Sequence, residues 1–382
     1  MDMVKTFSSH NPVTNEVIGK YPIQLDKEVD LVVAQARIAT SQWVKLGFNG
    51  RKKTLLAWSS HIIKNIEEVA SIISEETGKP ISDARLEVSI AVNQIGWVAR
   101  HAQDIMRTSH RAPGALMANM SATVERSPVG VVGVIGPWNY PIFTPVGSIA
   151  YALAAGNTVV FKPSEYTPGV GVWLEQSFKT VAPFVGIFTT ITGLGQTGAA
   201  LCNSAIDKLS FTGSTRTAKL VAAACAAKMI PVVLECGGKD PVIVASDANL
   251  DRAVDATIWS AMANSGQSCI GAERVYVDKK VASQFIAKAV ELAKTVHAGA
   301  PGEGNYGPVT MPSQLNIIAS HMKAAIKDGG KFAYGSAKSV QAPFVQPVIL
   351  VDVPENSTAI REESFGPIII INTVDNMQEA IK

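Results

Sequence analysis

Apolar side chains recur at helical spacing through residues 25–44, where Val29, Val32, Val33 and Ala36 share one face. A second helical stretch covers residues 51–76. It stops at Thr77-Gly78-Lys79-Pro80, because glycine takes a left-handed cap and proline cannot continue a helix. A third helix covers residues 81–100, so the first hundred residues read as helical. Residues 108–125 read instead as a polar-edged pair of strands around a Pro113-Gly114 turn.

From Val129 the rhythm changes to short β-rich runs alternating with alanine-rich helices, the pattern of parallel strands joined by crossover helices. The predicted strands are residues 129–135, 158–161, 187–191, 208–211 and 232–235. Such runs are apolar throughout when helices cover both faces of the sheet. Ligands of such sheets bind beyond the carboxyl ends of the strands, which places Pro137-Trp138-Asn139, Lys162-Pro163-Ser164-Glu165 and Thr212-Gly213-Ser214 on one edge. The alternation restarts after Gly237-Gly238, with a strand at 241–245, a helix at 250–264 and a strand at 274–277, giving a second α/β domain. A chain of 382 residues has room for two to three domains, and a ligand cleft between domains is the expectation.

Composition removes several classes of function. With 34 basic and 32 acidic side chains the formal charge is only +2, and no dense Lys/Arg run offers to neutralise a phosphate backbone, so no nucleic-acid partner is expected. The start, Met1-Asp2-Met3-Val4-Lys5, lacks the apolar stretch of a secretory signal. No charge falls between Arg126 and Lys162, but Pro128, Pro137, Asn139, Pro141, Pro145 and Asn157 argue against a membrane span and for a buried strand, loop, helix and strand. The four cysteines, Cys202, Cys225, Cys236 and Cys269, show neither CxxC spacing nor a metal-ligand pattern with the six histidines. A reduced cytoplasmic protein without a metal site is expected.

Six short segments follow one another in a telling order: Pro137-Trp138-Asn139-Tyr140-Pro141, Phe161-Lys162-Pro163-Ser164-Glu165, Phe211-Thr212-Gly213-Ser214-Thr215, Leu234-Glu235-Cys236-Gly237-Gly238-Lys239, Gly266-Gln267-Ser268-Cys269 and Glu362-Glu363-Ser364-Phe365-Gly366-Pro367. In this combination the chain resembles the aldehyde dehydrogenase superfamily, in its hydrolysing, non-acylating branch, from Asn11-Pro12 to Pro367. The resemblance implies a Rossmann-like cofactor domain (1–107 and 129–237), a small bridging and oligomerising β-hairpin (108–128) and a second α/β catalytic domain (238–382).

It also implies oxidation of an aldehyde to a carboxylic acid, and the residues can be weighed against that chemistry. A carbonyl carbon releases hydride readily only after a nucleophile has made it tetrahedral, and a thiolate suits that attack. Cys269 is the expected nucleophile because it follows the small, polar stretch Asn264-Ser265-Gly266-Gln267-Ser268, whereas a cysteine alone is usually a small buried hydrophobe. That ordinary role is retained for Cys202 and Cys225, and for Cys236 beside the proposed base. By the resemblance Asn139 and the Cys269 backbone N–H form the oxyanion hole. Glu235 is the candidate base for thioester hydrolysis, with its pKa raised by desolvation at the end of Val232-Val233-Leu234. A strand-end glutamate taken alone is more often a surface residue.

The GxGxxG fingerprint is absent. Gly213-Ser214 opens the helix after the fourth strand and offers backbone N–H groups to a pyrophosphate. Lys162 and Glu165 stand where the family holds the adenosine ribose; a 2′-phosphate would meet like charge at Glu165, which favours NAD over NADP. Trp138, Ser164 and Gly195 are assigned to cofactor contacts by the same resemblance, and Glu363 and Phe365 match the pair that positions the nicotinamide ribose and ring. The expected partners are a small-molecule aldehyde, aliphatic or a semialdehyde, and further copies in a homodimer or homotetramer. The chain ends at Lys382 in the opening of a helix, Asn376-Met377-Gln378-Glu379, where relatives are expected to continue. A second reading follows from that: a catalytically silent homologue that binds dinucleotide or serves as a scaffold.

Overall fold

A computed structural model describes residues 5–382. Two short strands, β1 (Thr6–His10) and β2 (Val17–Pro22), form a two-stranded sheet that helical periodicity did not reveal. Their side chains are mostly half-buried or exposed, so no apolar run marks them. Four helices follow: α1 (Asp26–Lys45), α2 (Gly47–Lys64), α3 (Ile66–Thr77) and α4 (Ile81–Met106). The helix expected over 51–76 is thus two, broken at Asn65, whose side-chain amide donates to the His61 carbonyl at 2.8 Å and ends α2. At the end of α3, Gly78 takes φ +74 as its sequence context predicts. Strands β3 (Ser109–Arg111) and β4 (Ala122–Val124) pair antiparallel, matching the predicted hairpin.

Contacts divide the chain into two units: Met1–Ser9, Gly19–Ile72 and Arg85–Glu235; and His10–Ile18, Ile73–Ala84 and Cys236–Lys382. The first unit contains β5 (Val131–Ile135), α5 (Phe143–Ala155), β6 (Thr158–Lys162), α6 (Pro168–Lys179), β7 (Phe188–Thr190), α7 (Gly195–Asn203), β8 (Lys208–Thr212), α8 (Thr215–Ala226) and β9 (Val232–Glu235). The five strands form one parallel sheet in the order β7-β6-β5-β8-β9, so the chain reverses direction across the sheet at β5. Every residue of β6 is buried, whereas the edge strand β9 alternates between half-buried and exposed. Trp43, Trp58, Phe178 and Phe188 pack edge-on or tilted in the core, and the Trp58 indole donates to Ser177 Oγ at 2.9 Å.

The second unit holds β10 (Asp240–Val244), α9 (Leu250–Met262), β11 (Ala272–Asp278), α10 (Ala282–Ala293), α11 (Pro312–Lys327), β12 (Lys331–Tyr334), β13 (Val340–Gln341), β14 (Phe344–Val345), β15 (Val348–Val351), α12 (Thr358–Arg361), β16 (Ile368–Val374) and α13 (Met377–Ile381). Its main sheet has the order β10-β11-β16-β15-β12, parallel except for β12. The run Ile368-Ile369-Ile370-Ile371 shows why a two-faced sheet needs uninterrupted apolar sequence: Ile369 and Ile371 enter one core with Phe285, while Ile368 and Ile370 enter another with Ile318 and Met322. Among the described residues no helix is long and apolar enough to cross a membrane.

Trp58→Ala should cost about 3–5 kcal/mol, because it removes a fully buried ring and leaves a cavity among the aromatic side chains. Chemical denaturation followed by tryptophan fluorescence checks this; an unchanged midpoint would show that the ring does not anchor the first unit.

Candidate active site

In the first unit the predicted residues collect along the carboxyl edge of the parallel sheet. Ile135 lies opposite both Lys162 and Phe211, and Thr212 opposite Glu235, so four strands end nearly level. Trp138 and Asn139 follow β5; Trp138 is half-buried and makes a T-shaped contact with Tyr166, ring centroids 6.4 Å apart, and Asn139 is buried. What fixes this segment is a residue that sequence reading missed. The buried carboxylate of Glu87, on α4, accepts from the backbone N–H groups of Ile142 at 2.9 Å and Phe143 at 3.2 Å, capping the start of α5 just beyond Asn139. A signal existed: Glu87 sits on the helical stripe Ala84, Val88, Ala91 and Ile95 that faces the core.

After β6, Lys162 is buried and its ammonium donates to the Pro163 carbonyl at 2.9 Å. Burial lowers its pKa, and the nearby charge of Glu165 opposes that shift. Ser164 is buried and its hydroxyl accepts from Tyr166 N–H at 3.3 Å; Glu165 is half-buried. After β7, Gly195 is exposed at the start of α7, and an added Cβ there would meet nothing within 4 Å. After β8, a Cβ on Gly213 would lie 2.8 Å from the Phe211 ring, and Ser214 caps α8 by accepting from Thr217 N–H at 3.3 Å. Glu235 closes β9 and is exposed. The desolvation expected for it is not found, because β9 is an edge strand rather than a buried one.

In the second unit the predicted residues lie at the opposite end of the strands. Asp240 pairs with Ala272 at the amino end of β10 and β11, and Arg274 pairs with Ile370 near the amino end of β16. Cys269 lies in the turn before β11, ahead of Ile270 and Gly271, and is half-buried, as is Cys236. The backbone leading to Cys269 is unusual: Asn264, Ser265 and Gly266 have φ of +53, +62 and +67. For asparagine and serine that region is unfavourable and persists only where surroundings enforce it. The enforcing group is the buried amide of Gln267, which donates to the Asn264 carbonyl at 2.9 Å and the Pro308 carbonyl at 3.2 Å and accepts from Thr310 N–H at 2.8 Å. Gly266 is held so close to the Gly366 carbonyl that a Cβ would lie 2.2 Å from that oxygen.

That contact ties the Cys269 turn to the segment carrying Glu363 and Phe365. The Glu363 carboxylate accepts from Gly238 N–H at 3.4 Å, and a Cβ on Gly237 would lie 2.0 Å from its oxygen. The same spot on Gly238 would be 3.9 Å from the Cys269 carbonyl. Cys269, Gly238 and Glu363 therefore share one end of the second sheet. Desolvation, followed by the charge of Glu273, pushes the Glu363 pKa up to about 7. Phe365 is half-buried and takes φ +50.

These residues suit a dinucleotide. The first sheet offers a helix N-terminus with a capping serine, an unobstructed glycine at another helix start, a buried ammonium and a half-buried carboxylate, all past strand carboxyl ends. Among the described residues no cluster of three His, Cys, Asp or Glu could hold a metal ion.

The family model described as "Aldehyde dehydrogenase family" matches residues 2–382. Glutarate-semialdehyde dehydrogenase of Pseudomonas putida is 34% identical, with 96% of this chain and 76% of that protein covered. D-glyceraldehyde dehydrogenase (NADP(+)) of Thermoplasma acidophilum is 31% identical, with 98% of this chain and 77% of that protein covered. The solved structure of an NAD+ complex of aldehyde dehydrogenase from Bacillus cereus superposes with a TM-score of 0.93 at 30% identity, covering 99% of this chain and 78% of that one.

The raised pKa of Glu363 predicts a pH signature. Between the ordinary carboxylate range and about pH 7 the folded protein holds a proton that the unfolded chain has released, so this group's contribution to stability falls as pH rises through that window. Glu363→Gln should therefore melt higher than wild type at pH 8, and the gain should vanish at pH 4. Melting curves at both pH values check this; a gain independent of pH would contradict the burial of that charge.

Proposed function

Because the chain belongs to the aldehyde dehydrogenase family, we propose that it oxidises a small aldehyde to a carboxylic acid through a thioester on Cys269, with NAD as the electron acceptor. The observation that carries this reading is the presentation of Cys269: half-buried, three residues after the left-handed run that ends at Gly266, at the strand end that also carries Glu363.

The Cys269 thiolate attacks the carbonyl carbon, forming a C–S bond and placing negative charge on the former carbonyl oxygen. The Asn139 side-chain amide and the Cys269 N–H donate to that oxygen, and one such preorganised donor is worth about 3–4 kcal/mol of transition-state stabilisation. When bound, the nicotinamide supplies the acceptor for the hydride whose loss converts the thiohemiacetal to an acyl thioester. Glu235 then takes a proton from a water molecule as it attacks the thioester, and the thiolate leaves. The exposure of Glu235 suits a base that must reach water.

Lys162 and Glu165 would hold the adenosine ribose of the cofactor, Gly213 and Ser214 the pyrophosphate, and Glu363 and Phe365 the nicotinamide ribose and ring, with Trp138, Ser164 and Gly195 as further cofactor contacts. Glu165 supports NAD over NADP, since a 2′-phosphate would be set against its carboxylate. The semialdehyde named in the Pseudomonas relative supports a substrate of that class or a simple aliphatic aldehyde.

Cys269→Ser should abolish aldehyde-dependent NADH formation by a factor of about 10³ or more. Glu235→Gln should slow steady turnover at least about a hundredfold while preserving a first-turnover burst of NADH, because only the second half of the reaction needs the base. Stopped-flow absorbance of NADH tests both. An active serine variant, or a Glu235→Gln enzyme lacking a burst, would overturn the assigned roles, and inactivity of the unaltered chain against an aldehyde panel would favour the silent, dinucleotide-binding homologue.

A further inference from the structure

The Glu363–Phe365 segment rests on a charged cluster to which the proposed chemistry gives no part. Glu273, 4% exposed at the start of β11, accepts from Ser364 N–H at 2.8 and 3.1 Å and from Phe365 N–H at 3.0 Å. Its other partner is the ammonium of Lys239, which also donates to Ser364 Oγ at 3.0 Å. Burial lowers the Lys239 pKa while Glu273 opposes the shift. The Lys239 backbone is fixed in turn, since Arg274 Nε donates to its carbonyl at 2.8 Å.

From α11, the buried His321 places Nδ1 3.0 Å from Ser364 Oγ, and Gln314 donates to the Ser364 carbonyl at 2.7 Å. The Ser364 hydroxyl, which accepts from Lys239, has both a proton and a second lone pair to offer His321 Nδ1, so either histidine tautomer satisfies this contact. Burial and the charge of Lys239 lower the His321 pKa, which favours the neutral ring. Thus the N–H, hydroxyl and carbonyl of Ser364 are all held between two residues of proposed cofactor contact.

We infer that Glu273 and Lys239 are positioning residues: their buried ion pair fixes the backbone of Ser364 and Phe365 and so aims Glu363 and the Phe365 ring at the nicotinamide riboside. The inference rests on the proposed cofactor role of Glu363. A structural ion pair of no functional consequence would need only the two side chains; here one carboxylate also holds two consecutive N–H groups, the second belonging to a residue at φ +50. Left without that acceptor, Phe365 has reason to relax toward ordinary φ and turn both flanking side chains.

The test compares Glu273→Gln, Lys239→Met, Ser364→Ala and Glu363→Gln by NADH fluorescence titration, with KM for NAD and for aldehyde and the rate of Cys269 alkylation by iodoacetamide as companion readouts. Glu273→Gln and Lys239→Met should each weaken NADH binding about tenfold or more. They should raise KM for NAD in step and leave KM for aldehyde and the alkylation rate within about twofold of wild type. Glu273→Gln combined with Glu363→Gln should lose little beyond the worse single variant, since one acts through the other. Ser364→Ala leaves both charges paired and should weaken binding about threefold, so it keeps the test readable if the charge variants do not fold. NADH binding unchanged in Glu273→Gln or Ser364→Ala, with Glu363→Gln impaired, would overturn the positioning role and leave the proposed function standing. Parallel losses in alkylation and aldehyde KM would overturn it too, as the mark of general disruption. Unchanged binding in Glu363→Gln would overturn both readings.

Discussion

Three consecutive residues in the left-handed region are tolerable only if something stronger than local preference holds them, and in this chain that is one buried amide. Gln267 bonds the Asn264 carbonyl, the Pro308 carbonyl and the Thr310 N–H, leaving its side chain satisfied on both the donor and acceptor sides. Strain of about 1 kcal/mol or more at each non-glycine position is thereby offset by hydrogen bonds that would cost more to leave unmade in the interior. The turn so formed puts Cys269 outside regular structure and half-buried, while Asn264, Ser265 and Gln267 of the turn are buried. Placing Gly266 against the Gly366 carbonyl couples that turn to the neighbouring segment, so that the proposed nucleophile and the proposed cofactor contacts stand on adjoining backbone.

The proposed site residues lie at different ends of the strands in the two sheets. In the first, parallel strands in the order β7-β6-β5-β8-β9 deliver loops and helix starts at their carboxyl ends, where backbone N–H groups point outward and favour an anion. In the second, Lys239, Cys269 and Glu363 gather at the amino ends of β10, β11 and β16. Charge is managed there by buried pairing instead, with Glu273 and Lys239 compensating each other and Glu363 left with a proton to near neutrality.

Much of this was legible from sequence because apolar runs and turn residues report buried strands well. The five strands of the first sheet, the stop at Gly78, the hairpin after residue 108 and the closing helix capped by Asn376 stand as read, within a residue or two. What escaped was structure decided by side-chain bonds and pairings that apolar periodicity does not mark. β1 and β2 lack apolar alternation, and the break at Asn65 depends on a side-chain bond back to His61. The expected desolvation of Glu235 failed because β9 proved to be an edge, which a run of four residues cannot disclose. Glu87, Glu273 and Gln267 do their work through backbone groups distant in sequence, so composition names them without revealing their partners. The predicted residues of the first sheet lie beyond the strands' carboxyl ends, as is expected of ligand sites in parallel sheets, whereas those of the second lie at the amino ends.

The central claim, that Cys269 carries the acyl group, is tested most directly by trapping it. Glu235→Gln enzyme mixed with NAD and an aldehyde, quenched in acid and digested, should yield the Cys269 peptide heavier by the mass of the acyl group and lost on hydroxylamine treatment. An unmodified Cys269 peptide from enzyme that has formed one equivalent of NADH, or the added mass on Cys236, would contradict the account.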